Sequence, residues 1–112
     1  MRVRPAAHDD LEACQTIVHG LPDYFTDDVP DKIAHDLDAH HGWVITEDDG
    51  VVGFVVVEYR SSRATEILWI AVRHDERNQG VGATLLEHVI GALAADNVAL
   101  IEAKTLDASA DY

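Results

Sequence analysis

The sequence predicts a mixed α/β (α+β) fold, a mostly antiparallel sheet with flanking helices in the order β-α-α-β-β-β-α-β. Three observations carry this expectation. Apolar residues recur at helical spacing in three segments, they form short strand-like runs in five others, and turn residues separate the middle runs so briefly that those strands must be antiparallel neighbours. At 112 residues the chain reads as a single domain, 1–112, able to bury roughly two-thirds of the surface its unfolded form exposes.

Residues 2–5 read as a short strand, and His8, Asp9 and Asp10 supply a capping residue for a helix over about 10–20. Its buried face carries Leu11, Cys14, Val18 and Leu21. After a loop at 21–28, a second helix starts near Pro30, pairs Ile33 with Leu37 at i, i+4, and stops at Gly42 behind His40 and His41. From Trp43 the period changes. Strands at 43–47 and 51–59 flank Asp48-Asp49-Gly50, and an Asp-Gly pair between apolar runs signals a hairpin. A second turn, Arg60-Ser61-Ser62-Arg63, returns the chain as a third meander strand at 65–72. A helix over about 80–95 then places Val81, Leu85, Leu86, Val89, Ile90 and Leu93 at helical spacing. Asp96-Asn97 breaks it, and 98–104 reads as a strand that a right-handed crossover sets parallel to the third meander strand.

Charge narrows the function. With 21 acidic residues against 8 basic ones the net charge is −13, which argues against a nucleic-acid partner. Acid enrichment with only Lys32 and Lys104 as lysines fits a protein adapted to high salt, where self-repulsion is screened, and equally an acidic groove for cationic substrates. Composition does not separate the two. No apolar run approaches bilayer length, and the residues after Met1 lead into a polar stretch rather than a secretory core. The expectation is a cytoplasmic protein with no membrane partner.

Cys14 is the sole cysteine, so no internal disulfide forms, and it reads as a small buried hydrophobe. His35, His40 and His41 cluster at one helix end without a second group of ligands, which suggests solvated residues and no metal site. His88 faces away from its helix's apolar stripe.

The chemistry concentrates where the third meander strand meets the last helix. In Arg77-Asn78-Gln79-Gly80-Val81-Gly82-Ala83, two glycines let the backbone approach an anion, and the first helical amides have no intrahelical acceptors. Those amides and the positive end of the helix dipole suit a pyrophosphate, with Arg77 and Arg73 adding charge. A dinucleotide fingerprint would need a small residue where Leu85 stands, and no Gly-Lys-Ser/Thr follows to make a P-loop.

This loop, the preceding Ile67-Leu68-Trp69-Ile70-Ala71-Val72 and the opening Met1 to Pro5 with His8-Asp9-Asp10 closely resemble the GCN5-related N-acetyltransferase family. The loop signature, Arg/Gln-x-x-Gly-x-Gly/Ala, is matched at Arg77, Gly80 and Gly82. The resemblance implies an acyl-CoA N-acyltransferase-like fold and direct transfer of an acetyl group from acetyl-CoA, a co-substrate, to a primary amine of a small molecule or protein. It implies that Ile70, Ala71 and Val72 lend backbone groups to the pantetheine arm while Arg77, Asn78, Gln79, Gly80, Val81, Gly82 and Ala83 hold the pyrophosphate.

Glu66 and Glu102 resemble positions where family members carry a glutamate that deprotonates the incoming ammonium; otherwise each is a solvated strand residue. His74 adjoins the loop, and Tyr24 and Phe25 either wall the acceptor pocket or pack over the sheet. The family's closing helix and hairpin have no counterpart after residue 104, so the domain reads as C-terminally incomplete, with a bare strand edge that a homo-oligomer would cover. Two other functions fit the same features: a non-catalytic acyl-CoA-binding module, and an inactive fragment that pairs with another chain.

Overall fold

Runs of valine, isoleucine and aromatic residues build a sheet whose two faces are both covered. The computed structural model describes residues 1–48, 50–76 and 80–103. Strands β1 (Arg2–Pro5), β2 (His41–Glu47), β3 (Gly50–Tyr59), β4 (Ala64–Val72) and β5 (Leu100–Ala103) lie side by side in chain order. Helices α1 (Leu11–His19), α2 (Val29–Ala39) and α3 (Val81–Ala95) flank them. β1 to β4 pair antiparallel, and β5 pairs parallel with β4. This is the expected element order and the expected mixed sheet.

On one face, Cys14, Ile17 and Val18 of α1 and Ile33 of α2 pack on Val44, Phe54, Val56 and Ala71. On the other, Val81, Leu85, Val89 and Leu93 of α3 pack on Ile45, Val55, Val57 and Ile70. With helices on both sides, β3 is buried continuously from Val52 to Val57, which is why it reads as an unbroken apolar run rather than an alternating one. At Gly53 a Cβ would stand 2.9 Å from Ile45 Cγ2 and 3.2 Å from the Ala71 carbonyl oxygen, so the centre of the sheet has no room for a side chain there.

Several local expectations change. α2 ends at Ala39, and His41 and Gly42 already belong to β2. A Cβ at Gly42 would lie 2.8 Å from Leu37 Cδ1, so the glycine admits the last turn of α2 onto the strand rather than stopping the helix. His41 sets its ring edge-on to Tyr59, with centroids 4.9 Å apart, and His40 reaches Glu58; neither is simply a solvated helix-end residue. In the first hairpin the left-handed residue is Asp48, at φ 55°, while Gly50 is the first residue of β3 and pairs with Glu47. Asp49 lies outside the described residues.

Asp10 precedes α1 but makes no side-chain cap to it; its carboxylate turns back to Arg4 and Ala7. Ile90 is 48% exposed, because α3 rests on the sheet along a line of positions four apart that excludes it. The same helix ends in a Schellman motif. Asn97 takes φ 68°, and the amides of Asn97 and Val98 donate to Ala94 and Leu93 at 3.1 and 3.0 Å.

Candidate functional site: the outer end of β4 and the start of α3

β5 pairs with β4 from Ala64↔Leu100 to Ile67↔Ala103. Beyond Ile67, β4 continues to Val72 with β3 alone beside it among the described residues. Just after Ile67, β4 holds one extra residue. Ile67 faces Val57 and Trp69 faces Val56, so Leu68 is a bulge, which bends a strand and interrupts its ladder. Ile70, Ala71 and Val72 therefore pair with Val55, Phe54 and Gly53 on one edge, while their side chains are buried in the two cores. Alternate backbone groups along such a strand point to its other edge.

The chain then makes a short 3-10 turn at His74–Glu76 and enters α3 through Gly80, whose φ of 77° is left-handed. Glycine alone takes that conformation without penalty. The first intrahelical bond runs from the Thr84 amide to the Gly80 carbonyl, 3.0 Å, leaving the amides of Val81, Gly82 and Ala83 ahead of it. Gly80 makes no side-chain cap. α3 carries no acid in its first turn, whereas α1 and α2 carry Glu12 and Asp31 there. Among the described α-helices, this end is the one without a first-turn acid to repel an anion. Val81 and Gly82 are buried and Ala83 is exposed.

Arg77, Asn78 and Gln79 lie outside the described residues. Arg73 does not add a spare positive charge as expected: its Nε is 2.6 Å from Asp75 Oδ1 and its Nη2 is 3.1 Å from Glu76 Oε1. The hydrogen bond from Arg73 is the main cause that holds the Asp75 carboxyl below its ordinary range. His74 and Arg73 border a cleft of about 460 Å³ that is also lined by Glu12 and Thr16 of α1 and by Asp9 just before that helix.

The two candidate carboxylates come together at the other end of β4, where Glu66 and Glu102 are direct partners across the parallel ladder. Glu66 is 3% exposed, so it is not a solvated strand residue; Glu102 is exposed. A third carboxylate, Glu58 of β3, faces Glu66 from the other side. Sequence reasoning missed it, because only the register of β3 on β4 reveals it.

Arg60, leaving β3, bridges two of the three. Its Nη1 is 2.8 Å from Glu58 Oε1, and its Nη2 donates to Glu66 Oε1. The guanidinium pKa is raised, first by the hydrogen bond to Glu66 and, against desolvation, by the charges of Glu58, Glu66 and Glu102. Behind Glu58, His40 Nε2 lies 3.2 Å from Oε2.

Trp69 follows the bulge, on the face covered by α1 and α2. Its Nε1–H donates to Asp36 Oδ2 at 2.6 Å, and Phe25 packs on its ring with centroids 6.4 Å apart. Phe25 thus packs over the sheet, while Tyr24 beside it is 41% exposed. Among the described residues no group of three metal-ligating side chains converges, and no helix is long and apolar enough to cross a membrane.

A sequence profile for the acetyltransferase (GNAT) domain matches residues 38–111. Comparison with curated proteins found no match. Among solved structures, the chain is similar to a Desulfovibrio desulfuricans protein described as an acetyltransferase of the GNAT family, at 22% identity and TM-score 0.84, over 93% of this chain and 72% of that one. It is similar to the ribosomal-protein-alanine N-acetyltransferase of Brucella melitensis at 16% identity and TM-score 0.76, over 96% and 82%. A Mycobacterium tuberculosis protein solved in complex with CoA matches at 19% identity and TM-score 0.70, over 88% and 60%. At such identities the likeness is one of fold.

Proposed function

The chain belongs to the acetyltransferase (GNAT) domain family, and from that premise we propose that it transfers an acetyl group from acetyl-CoA to a primary amine by direct attack in a ternary complex. The observation that carries this reading is the bulge at Leu68, which bends β4 ahead of the residues that lead to the glycine-opened start of α3. Past it, the outer edge of Ile70, Ala71 and Val72 is where the amides of a pantetheine arm would pair as an added strand does. The arm would lead toward the amides of Val81, Gly82 and Ala83, which suit the pyrophosphate, and Arg77, Asn78 and Gln79 would complete that loop.

The chemistry follows from these positions. Glu66, directly or through a water, takes a proton from the substrate ammonium. The neutral nitrogen forms a bond to the thioester carbonyl carbon, and the oxyanion is stabilised by a backbone amide near Ile70. The carbon–sulfur bond then breaks, coenzyme A departs as a thiolate that takes up a proton from solvent, and the amide product loses the nitrogen's second proton. Glu102 is the alternative base. One structural relative is a ribosomal-protein-alanine N-acetyltransferase, so alanine-ended peptides belong beside small amines among the acceptors to be tested.

Calorimetry with acetyl-CoA, followed by thiol release with a panel of amines, tests the reading. The expected result is saturable binding with amine-dependent release. Glu66→Gln should lower turnover, leave acetyl-CoA affinity unchanged and remove the acidic limb of the pH–rate profile. A second reading, an acyl-CoA-binding module without turnover, draws on the engagement of Glu66 by Arg60. Binding without release for every amine would favour it.

A further inference from the structure

Three carboxylates stand in one row across β3, β4 and β5, since Glu58 faces Glu66 and Glu66 faces Glu102. Neighbouring strands lie only about 4.8 Å apart, and like charges directly opposite one another repel. The row therefore needs a cation, and Arg60 supplies it from the turn between β3 and β4. Its backbone is held there, with the Arg60 amide donating to the Ala64 carbonyl at 2.8 Å. Its side chain remains 47% exposed, while the Glu66 side chain beneath it is 4% exposed.

We propose that Arg60 is a positioning residue for the transfer reaction, its guanidinium fork pinning Glu66 Oε1 against Glu58 Oε1 so that the base keeps one orientation on β4, two residues before the bulge at Leu68. This inference rests on the reading of Glu66 as the base. The geometry is specific to arginine. A planar fork meets two carboxylates from two strands at once, which a lysine ammonium does only as a point charge. The partner carboxylate is itself fixed from behind, because His40 at the end of α2 meets the other oxygen of Glu58. The chain of contacts thus runs from α2 through β3 to β4 and ends at Glu66. Among the described residues, charged groups that face Glu66 include Glu58 from β3, Glu102 from β5 and Arg60 from the turn; His40 acts through Glu58, and the α2 carboxylate Asp36 is engaged by Trp69.

The test is a comparison of Arg60→Ala and Arg60→Lys with the unaltered chain by pH–rate profile, acetyl-CoA affinity and thermal midpoint. Removing the guanidinium removes a cation that favours the ionised carboxylate, so the acidic limb should move to higher pH in Arg60→Ala. Its kcat should fall about 10- to 100-fold, a part of what a general base contributes, with acetyl-CoA affinity unchanged. Arg60→Lys restores the charge without the fork, so its limb should return to the original position with kcat only partly recovered.

A purely structural arginine would lower the thermal midpoint and leave the limb in place. An active Arg60→Ala with an unmoved limb, or with raised kcat, overturns the proposal. Should Arg60→Ala fail to fold, Arg60→Gln is read against Arg60→Lys by the same criteria. Absence of transfer by the unaltered chain would sink the transfer reading and this inference together, whereas an unmoved limb in an active variant sinks this inference alone.

Discussion

Replacing Asp10 by alanine should destabilise the fold by about 2 kcal/mol near neutral pH, on the scale of charged hydrogen bonds, and by almost nothing in strong acid. Asp10 Oδ2 accepts from Arg4 Nη1 at 2.8 Å and from the Ala7 amide at 2.7 Å, and Oδ1 accepts from Arg4 Nη2 at 2.9 Å. One carboxylate thereby ties β1, the turn after it and the start of α1 together. A hydrogen bond to a charged group is worth about 1.5–3 kcal/mol net. The Arg4 side chain is 42% exposed, so its share is discounted toward the surface value of about 0–1 kcal/mol.

The Ala7 bond keeps more of its value because the carboxylate is only 9% exposed. At about 4 °C per kcal/mol for a domain of this size, the melting temperature should drop by about 8 °C. The pH dependence has a definite sign. The Arg4 hydrogen bond, opposed by burial, holds Asp10 below its ordinary range. Its contribution is thus complete above the unfolded value of about 3.9 and is lost as pH falls through the lower folded value. Urea denaturation of both chains at neutral pH and in strong acid checks this. A gap that stays the same in both would refute the reasoning.

Other consequences are as direct. Gly80→Ala should cost about 1–2 kcal/mol from its left-handed φ alone, because a Cβ there meets nothing within 4 Å; Gly80→Asn should cost less, and equal losses in denaturation would show that φ is not the cause. Gly82→Val should abolish acetyl-CoA binding in calorimetry while leaving the circular dichroism near native, and unchanged affinity would remove the phosphate loop from the site. The Cys14 thiol is pushed up to about 12, first by burial and then by the Asp10 charge, so the native chain should resist thiol reagents at mildly alkaline pH. Only the unfolded thiol ionises as pH rises through its ordinary value, so stability should fall there, and stoichiometric labelling of the native chain would contradict the burial.

Much of this protein is written locally in its sequence. Period, capping and turn chemistry act within a few residues, so the order of elements, the apolar line of α3 and the glycines at 80 and 82 are legible without the fold. The anion site proposed at the start of α3 rests on equally local causes, backbone freedom at Gly80 and orphaned amides.

What the sequence left undecided depends on where one strand meets another. Gly42 looked like a helix stop and is instead the place where Leu37 needs room. Arg73 looked like a free charge beside the loop and is satisfied by Asp75 and Glu76. The carboxylate row is the clearest case. Had β4 kept the register of Trp69↔Val56 without its extra residue, Glu66 would face Tyr59 and Glu58 would face Ile67. The bulge at Leu68 shifts the ladder by one residue, so that Glu66 stands opposite Glu58, within reach of Arg60. A strand's side chains alternate with period two. One inserted residue therefore decides whether two glutamates share a face, and that choice belongs to the packing of β4 between β3 and β5, where the tertiary structure alone makes it.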